Sequence, residues 1–362
     1  MHRDTQRDLR KARAPLTVSA RALGVLLLWA CTAALHACSI PVFRYALDRW
    51  PADRFQLDVS LADAQDAAVA KFLRNFTDST PLNLAPARSE DEVPSHLAFP
   101  RAASDTAPAW VGKLDAATLP RITDSPARAE IVRRIVAGEC AVWLLVESGQ
   151  RDADDRAAAA LEKRLRYLEQ VAQIPPNDPN DPSSRLGPGP ALRVKFSVIR
   201  IKHDDEAEKP FIAMLAGPNG YMENANGPWL ALVFGRGRAL GAWPAEGFGD
   251  EQIDEVCLFL LGACSCEVKR LNPGWDLLVN ADWDEQLRAA EEARPAEPVP
   301  EGKATPQPAT PVMPETVTIH PSPPAIVPVE NANSNRTTIL VIGGAAALVA
   351  LAALLGKRRS PR

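Results

Sequence analysis

The sequence is poor in the residues that build active centres. Only five histidines and six cysteines occur among its 362 residues. Two of the histidines, His96 and His203, fall in the part that reads as folded. No His-Glu-x-x-His pair appears, which excludes the common zinc-protease helix. No glycine-rich phosphate loop and no Gly-x-Ser-x-Gly elbow appears either, so nucleotide binding and serine-hydrolase chemistry lack their usual frames. Charge is mixed along the chain and sums to -4. No basic stretch is dense enough to hold nucleic acid. Nothing in the pattern calls for a cofactor.

What is present begins with the two ends. Arg3, Arg7, Arg10, Lys11, Arg13 and Arg21 precede an apolar run from Ala22 to Leu35. About fourteen apolar residues is the length of a signal-peptide core and short for a bilayer span. The run closes on Leu35-His36-Ala37-Cys38. Small Ala37 suits cleavage before Cys38, so residues 1–37 are expected to be a signal peptide. The same stretch is similar to a bacterial lipobox, in which the cysteine is lipidated, although His36 stands where a small residue is usual. Retention as an uncleaved signal anchor is the third outcome.

At the other end, Thr337 to Gly356 carries no charge. Twenty helical residues rise about 30 Å, the thickness of the hydrocarbon core. Lys357, Arg358 and Arg359 follow at once. By the positive-inside bias residues 357–362 are a cytoplasmic tail, and the bulk of the chain lies outside. The helix is also similar to a C-terminal sorting tag. Residues 288–336 are rich in proline, alanine, glutamate and threonine without hydrophobic periodicity, which predicts a disordered linker. Asn75-Phe76-Thr77 and Asn335-Arg336-Thr337 match glycosylation sequons.

Between the leader and the linker the chain alternates helical and strand patterns, which predicts an α/β fold. Helices are expected at 42–50, 62–76, 126–137, 204–215 and 250–261, with a long one that has Asp152, Asp154 and Asp155 at its positive N-terminal end, where they read as helix capping. Strands are expected at 54–59, 96–99, 141–146, 192–201, 228–234 and 239–243. Ser125-Pro126 is a serine N-cap followed by proline in the first turn. Ala141 to Val146 is a continuous apolar run, the mark of a strand buried on both faces.

The order β-α-β-α-β-β-α over residues 140–262, with Pro228 opening the third strand, resembles the thioredoxin fold. In that family Pro228 occupies the cis-proline position. The redox members carry Cys-x-x-Cys after the first strand; here the place reads Glu147-Ser148-Gly149-Gln150-Arg151-Asp152. The resemblance therefore implies a module without dithiol chemistry. Residues 38–139 read as a degenerate copy whose first strand is missing and whose active-site turn is Cys38-Ser39-Ile40-Pro41. Trp275-Asp276-Leu277-Leu278-Val279 is expected to fill the vacant slot beside 54–59, which ends the second module, 140–287, in a strand. The Cys-Ser-Ile-Pro-Val-Phe-Arg-Tyr-Ala opening at 38–46 and the Cys-Ser-Cys at 264–266 are also similar to uncharacterised exported bacterial proteins, which implies no activity.

The sharpest local feature is Cys264-Ser265-Cys266. Two thiols so close suit a disulfide to another partner, a redox pair or a metal, or they are inert. If 275–279 joins the first module, this turn comes near Cys38 and a bridge from Cys38 to Cys264 or Cys266 is open outside the cytoplasm; lipidation of Cys38 excludes it because both use one sulfur. Cys140 and Cys257 are expected in the core. His203-Asp204-Asp205 reads as an acidic helix start, and Gly235-Arg236-Gly237-Arg238 as a hairpin turn. Two function classes remain: a non-catalytic extracytoplasmic interaction or scaffold protein with an unidentified protein partner, and an envelope thiol-disulfide protein using Cys38 with Cys264 or Cys266.

Overall fold

A computed structural model describes residues 40–294, apart from 91–92, 104, 177–180, 221, 223–224 and 265–267. The expected signal peptide, most of the linker, the segment 337–356 and the tail 357–362 lie outside the described residues, as do Cys38 and Cys266. Among the described residues no helix is long and apolar enough to cross a membrane.

The fold is mixed α/β. The first sheet contains β1 (Phe55–Val59), β2 (Leu84–Arg88), β3 (Ser95–Ala98) and β4 (Trp110–Gly112) in the order β2-β1-β3-β4. The second contains β5 (Ala141–Glu147), β6 (Phe196–Lys202), β7 (Trp229–Phe234), β8 (Arg238–Pro244) and β9 (Trp275–Asp276) in the order β6-β5-β7-β8-β9. In each sheet the first-formed strand runs parallel to the second and antiparallel to the third, and the third pairs antiparallel with the fourth. The two sheets thus repeat one wiring.

That wiring corrects the expectation of a missing first strand. β1 is the first strand of its sheet, and its parallel partner is β2, a strand absent from the sequence reading. β2 reads Leu84-Ala85-Pro86-Ala87-Arg88, and proline is tolerated in a sheet only where its missing N–H faces no neighbour, as at an edge. The segment 275–279 does not pair with 54–59. Trp275 and Asp276 pair with Ala239 and Arg238 at the far edge of the second sheet. Beyond them the chain bridges Leu82 through Asn280, next to β2. Asp276 approaches the start of β1 only through its side chain, which accepts the Asp53 N–H at 2.6 Å.

Helices α1 (Val42–Arg49), α2 (Ala67–Asn75), α3 (Thr118–Thr123) and α4 (Pro126–Val136) precede the second sheet. Within and after it come α5 (Arg151–Val171), α6 (Lys209–Ala216), α7 (Asp250–Leu261) and α8 (Trp283–Glu292). The capping rules explain several starts. The Asp66 carboxylate accepts the N–H groups of Ala68 and Val69, and the Ser125 hydroxyl accepts that of Arg128. α8 follows the expected strand segment 275–279 and runs past residue 288, where the linker was expected to begin; Asp282 caps it, and Trp283 and Leu287 are its buried face.

Period-two alternation sorts β5. Val142, Leu144 and Val146 join a cluster with Leu57, Leu97, Ile131 and Phe211, so the core is continuous across the expected boundary at 139/140. Ala141, Trp143 and Leu145 face the opposite way, against α1, α5 and α7. The second sheet is therefore covered on both sides, as its apolar runs predict. On the first sheet only one face is in the core. Gln56, Asp58 and His96 line the other and are half-buried.

Buried charges hold the loops. Arg44 pairs with Asp48 at 2.9 Å, both side chains being 3% exposed. Its guanidinium also donates to the carbonyls of Gly187, Pro188 and Pro190, which straps the proline-rich loop down. Gly274 sits at φ +97, and a Cβ there would overlap the Ala239 carbonyl oxygen. Gly274→Ala is expected to cost more than about 1 kcal/mol, seen as a lower urea midpoint. On α4, hydrogen bonds from Arg133 and then Arg134 pull the Glu130 carboxyl down to about 2 from 4.5. A carboxylate with a depressed folded pKa adds stability above its unfolded pKa and loses it as pH falls through the folded value. Glu130→Gln is therefore expected to flatten the pH dependence of stability slightly between about 4.5 and 2, in thermal melts compared across that range.

Candidate functional site

The residues before α1 and after α7 are brought together by backbone pairing. Gly262 ends α7, and the chain beyond it lies antiparallel to the chain entering α1. Val42 N–H donates to Gly262 O at 2.9 Å, and Cys264 N–H donates to Ile40 O at 2.9 Å. Pro41 faces Ala263 between them. Ile40 and Cys264 are buried in the cluster that contains Trp143, Cys257 and Leu260. The contact does not depend on the segment 275–279, the route by which the sequence reading brought these regions near each other. No spacing in the sequence signals it. Of the expected thiol set, Cys264 is placed, while Cys38 and Cys266 lie outside the described residues.

The other cysteines are core residues. Cys140 Sγ donates to Arg193 O at 2.9 Å, and burial pushes its thiol up to about 12. Burial also pushes the Cys257 thiol up, against a smaller opposing pull from the Trp143 indole. Neither forms a thiolate nucleophile near neutral pH.

The turn after β5 is closed by a carboxylate. Asp154, 3% exposed, accepts Ser148 N–H at 2.8 Å, Ser148 Oγ–H at 2.9 Å and Gly149 N–H at 3.1 Å. Gly149 takes φ +85 to bring its N–H round. Asp154, expected as part of an acidic helix cap, binds the turn ahead of the helix instead, and the N-cap residue Gln150 makes no side-chain cap. Gln150 Nε2 donates across to Asn226 O at 3.0 Å, just ahead of β7. Among the described residues there is no cis peptide, so Pro228 enters β7 in trans, unlike the family cis-proline at that place.

No family model, curated protein or solved structure matches this chain.

The remaining candidates resolve into structure. His203 Nδ1 lies 3.1 Å from Glu147 O, and Asp205 accepts Ala207 N–H, which sets the turn before α6. Among the described residues no three His, Cys, Asp or Glu side chains converge on a metal position. Arg236 donates to Leu47 O and pairs with Asp284, and buried Arg238 pairs with Asp276 at 3.0 Å. Both arginines of the hairpin turn are therefore occupied. His96 pairs with Asp58 at 3.2 Å on the open face of the first sheet. A cleft of about 180 Å³ beside Arg54, Asn83 and Trp283 is smaller than ordinary ligand pockets.

Proposed function

We propose that this chain is a non-catalytic interaction or scaffold protein, held at a membrane by its C-terminal helix and displaying two thioredoxin-like modules on the extracytoplasmic side. The observation that carries this reading is the turn after β5. A redox module needs two thiols there, and this chain has a serine–glycine turn tied to buried Asp154. The matching turn after β1, Ser60 to Asp66, is also free of cysteine. The repeated strand wiring supports two modules of one type. The leader and the uncharged segment 337–356 support export and anchoring.

A second reading keeps a thiol pair, and the pairing at the start of α1 favours it. Ile40 faces Cys264, so the chain entering α1 is paired with the chain that leaves α7, which favours a bridge from Cys38 to Cys264 or Cys266. In the scaffold reading this bridge is a permanent staple, and in the thiol-disulfide reading it cycles.

Differential alkylation of the membrane-extracted chain, before and after mild reductant, separates the two. A cross-linked peptide joining Cys38 to Cys264 or Cys266 that resists mild reductant and exchanges with no dithiol substrate is the expected result. Rapid reduction together with insulin-reductase turnover sinks the scaffold reading.

A further inference from the structure

We propose that the outer face of the α5–α7 helix pair docks a second copy of this chain, giving a twofold dimer. The proposal deepens the interaction reading by naming one partner, and it does not depend on how the chain meets a membrane.

The sheet sets the two helices side by side. β7 pairs antiparallel with β5, and β8 antiparallel with β7, so β5 and β8 run the same way. α5 follows β5 and α7 follows β8, so both helices turn back in one sense. Arg164 joins them, donating to Asp254 at 2.6 Å and to Asp250 at 3.3 Å, which fixes their register. The helical period then gives each helix one outer stripe beside the groove between them. On α5 that stripe holds Lys163, Tyr167 and Val171; on α7 it holds Glu251, Glu255 and Leu258.

The stripes are complementary halves. Tyr167, Val171 and Leu258 are 48%, 50% and 50% exposed, and they lie one to two turns beyond the Arg164 bridge, so both helices end in apolar surface. Nearer the bridge the α5 stripe is basic and the α7 stripe acidic. Lys163, Glu251 and Glu255 are exposed and make no ion pair among the described residues. A twofold axis along the groove lays α5 of one copy over α7 of the other, at the same level. Lys163 then meets Glu251 and Glu255 of the second copy, and Tyr167 and Val171 meet its Leu258. Each contact occurs twice, as an isologous interface requires. This self-matching points to a second copy, since a partner of one charge sign would match one stripe and be repelled by the other. The shared footprint, about 18 Å long and about 20 Å wide, places the dimer in the weak, reversible class.

The test is sedimentation equilibrium of the full chain in nonionic detergent. The wild type is expected to dimerise, more weakly as salt rises. Lys163→Glu, and separately the double change Glu251→Lys with Glu255→Lys, each set like charges opposite one another at two places and are expected to weaken the dimer about tenfold or more. An equimolar mixture of these two variants is expected to form a heterodimer of near wild-type affinity, because every opposed pair is again of unlike sign. Recovery in the mixture also shows that both variants fold. A wild type that stays monomeric up to about 1 mM, a dimer indifferent to both reversals, or a mixture that stays monomeric overturns the proposal. None of these outcomes bears on the alkylation test, so the interaction reading stands or falls separately.

Discussion

Arg128→Ala is expected to destabilise the fold by about 3–5 kcal/mol, the range for breaking a buried, fully bonded charge. Arg128 is 1% exposed. Its guanidinium donates to Ser125 Oγ at 3.1 Å, to Ile122 O at 2.8 Å, to Leu278 O at 3.1 Å and to Arg121 O at 2.7 Å. These acceptors come from α3, from the cap of α4 and from the segment after β9, so one side chain ties the first sheet's helices to the end of the second. It also lies over the Phe211 ring of α6 at 5.8 Å. Burial pulls its pKa down to about 10, opposed by the charges of Asp124 and Glu208, and the group stays cationic at neutral pH. Truncation leaves these carbonyls short of a donor and leaves the Glu208 carboxylate, 4% exposed, without its nearby cation. A domain's whole stability is about 5–15 kcal/mol, so the loss would be evident as a large drop in the urea midpoint followed by tryptophan fluorescence. Arg128→Lys keeps the charge but has three donors on one nitrogen, and is expected to recover only part of the loss.

Arg128 also marks what was legible beforehand. The Ser125-Pro126 start of α4 is readable because capping is local chemistry. The strands β5 and β7 are readable because burial on both faces writes a continuous apolar run. The charge at position 128 gives no sign that it is buried, since its acceptors are the Ser125 hydroxyl and backbone carbonyls of α3 and of the distant segment at Leu278. β2 escaped for a different reason: Pro86 and two alanines erase its strand signature, and its place is set by parallel pairing with β1. Trp275 to Val279 looks like a strand for any sheet, and the choice is made by the Arg238–Asp276 pair and by Asn83, which donates to Leu277 O and accepts Val279 N–H. At the candidate site the cysteines were visible as residues, but the pairing of Ile40 with Cys264 joins positions 224 apart, beyond any local pattern. The acidic first turn of α5 was legible, but the bonds of Asp154 run back to the preceding turn rather than to the helix's own N–H groups.

Ending the chain at Arg336 is expected to move it from the membrane fraction to the soluble fraction, provided that the leader is cleaved and Cys38 carries no lipid. The reasoning separates the fold from its anchor. α8 ends at Glu292, and its buried contacts, Trp283 and Leu287, lie well before the cut. The truncated chain therefore keeps every described contact, and its melting temperature is expected to be unchanged. What it loses is a run of twenty uncharged residues, about 30 Å as a helix and enough to cross the hydrocarbon core, with the basic cluster that fixes its orientation. A chain that still sediments with membranes after this cut has a second anchor, and Cys38→Ser in the same background identifies it. Release by Cys38→Ser assigns the anchor to a lipid on that sulfur, which excludes a bridge from Cys38 to Cys264 or Cys266. Continued retention with a mass that includes residues 1–37 assigns it to an uncleaved signal segment. If the full-length chain is already soluble, the membrane-held reading fails.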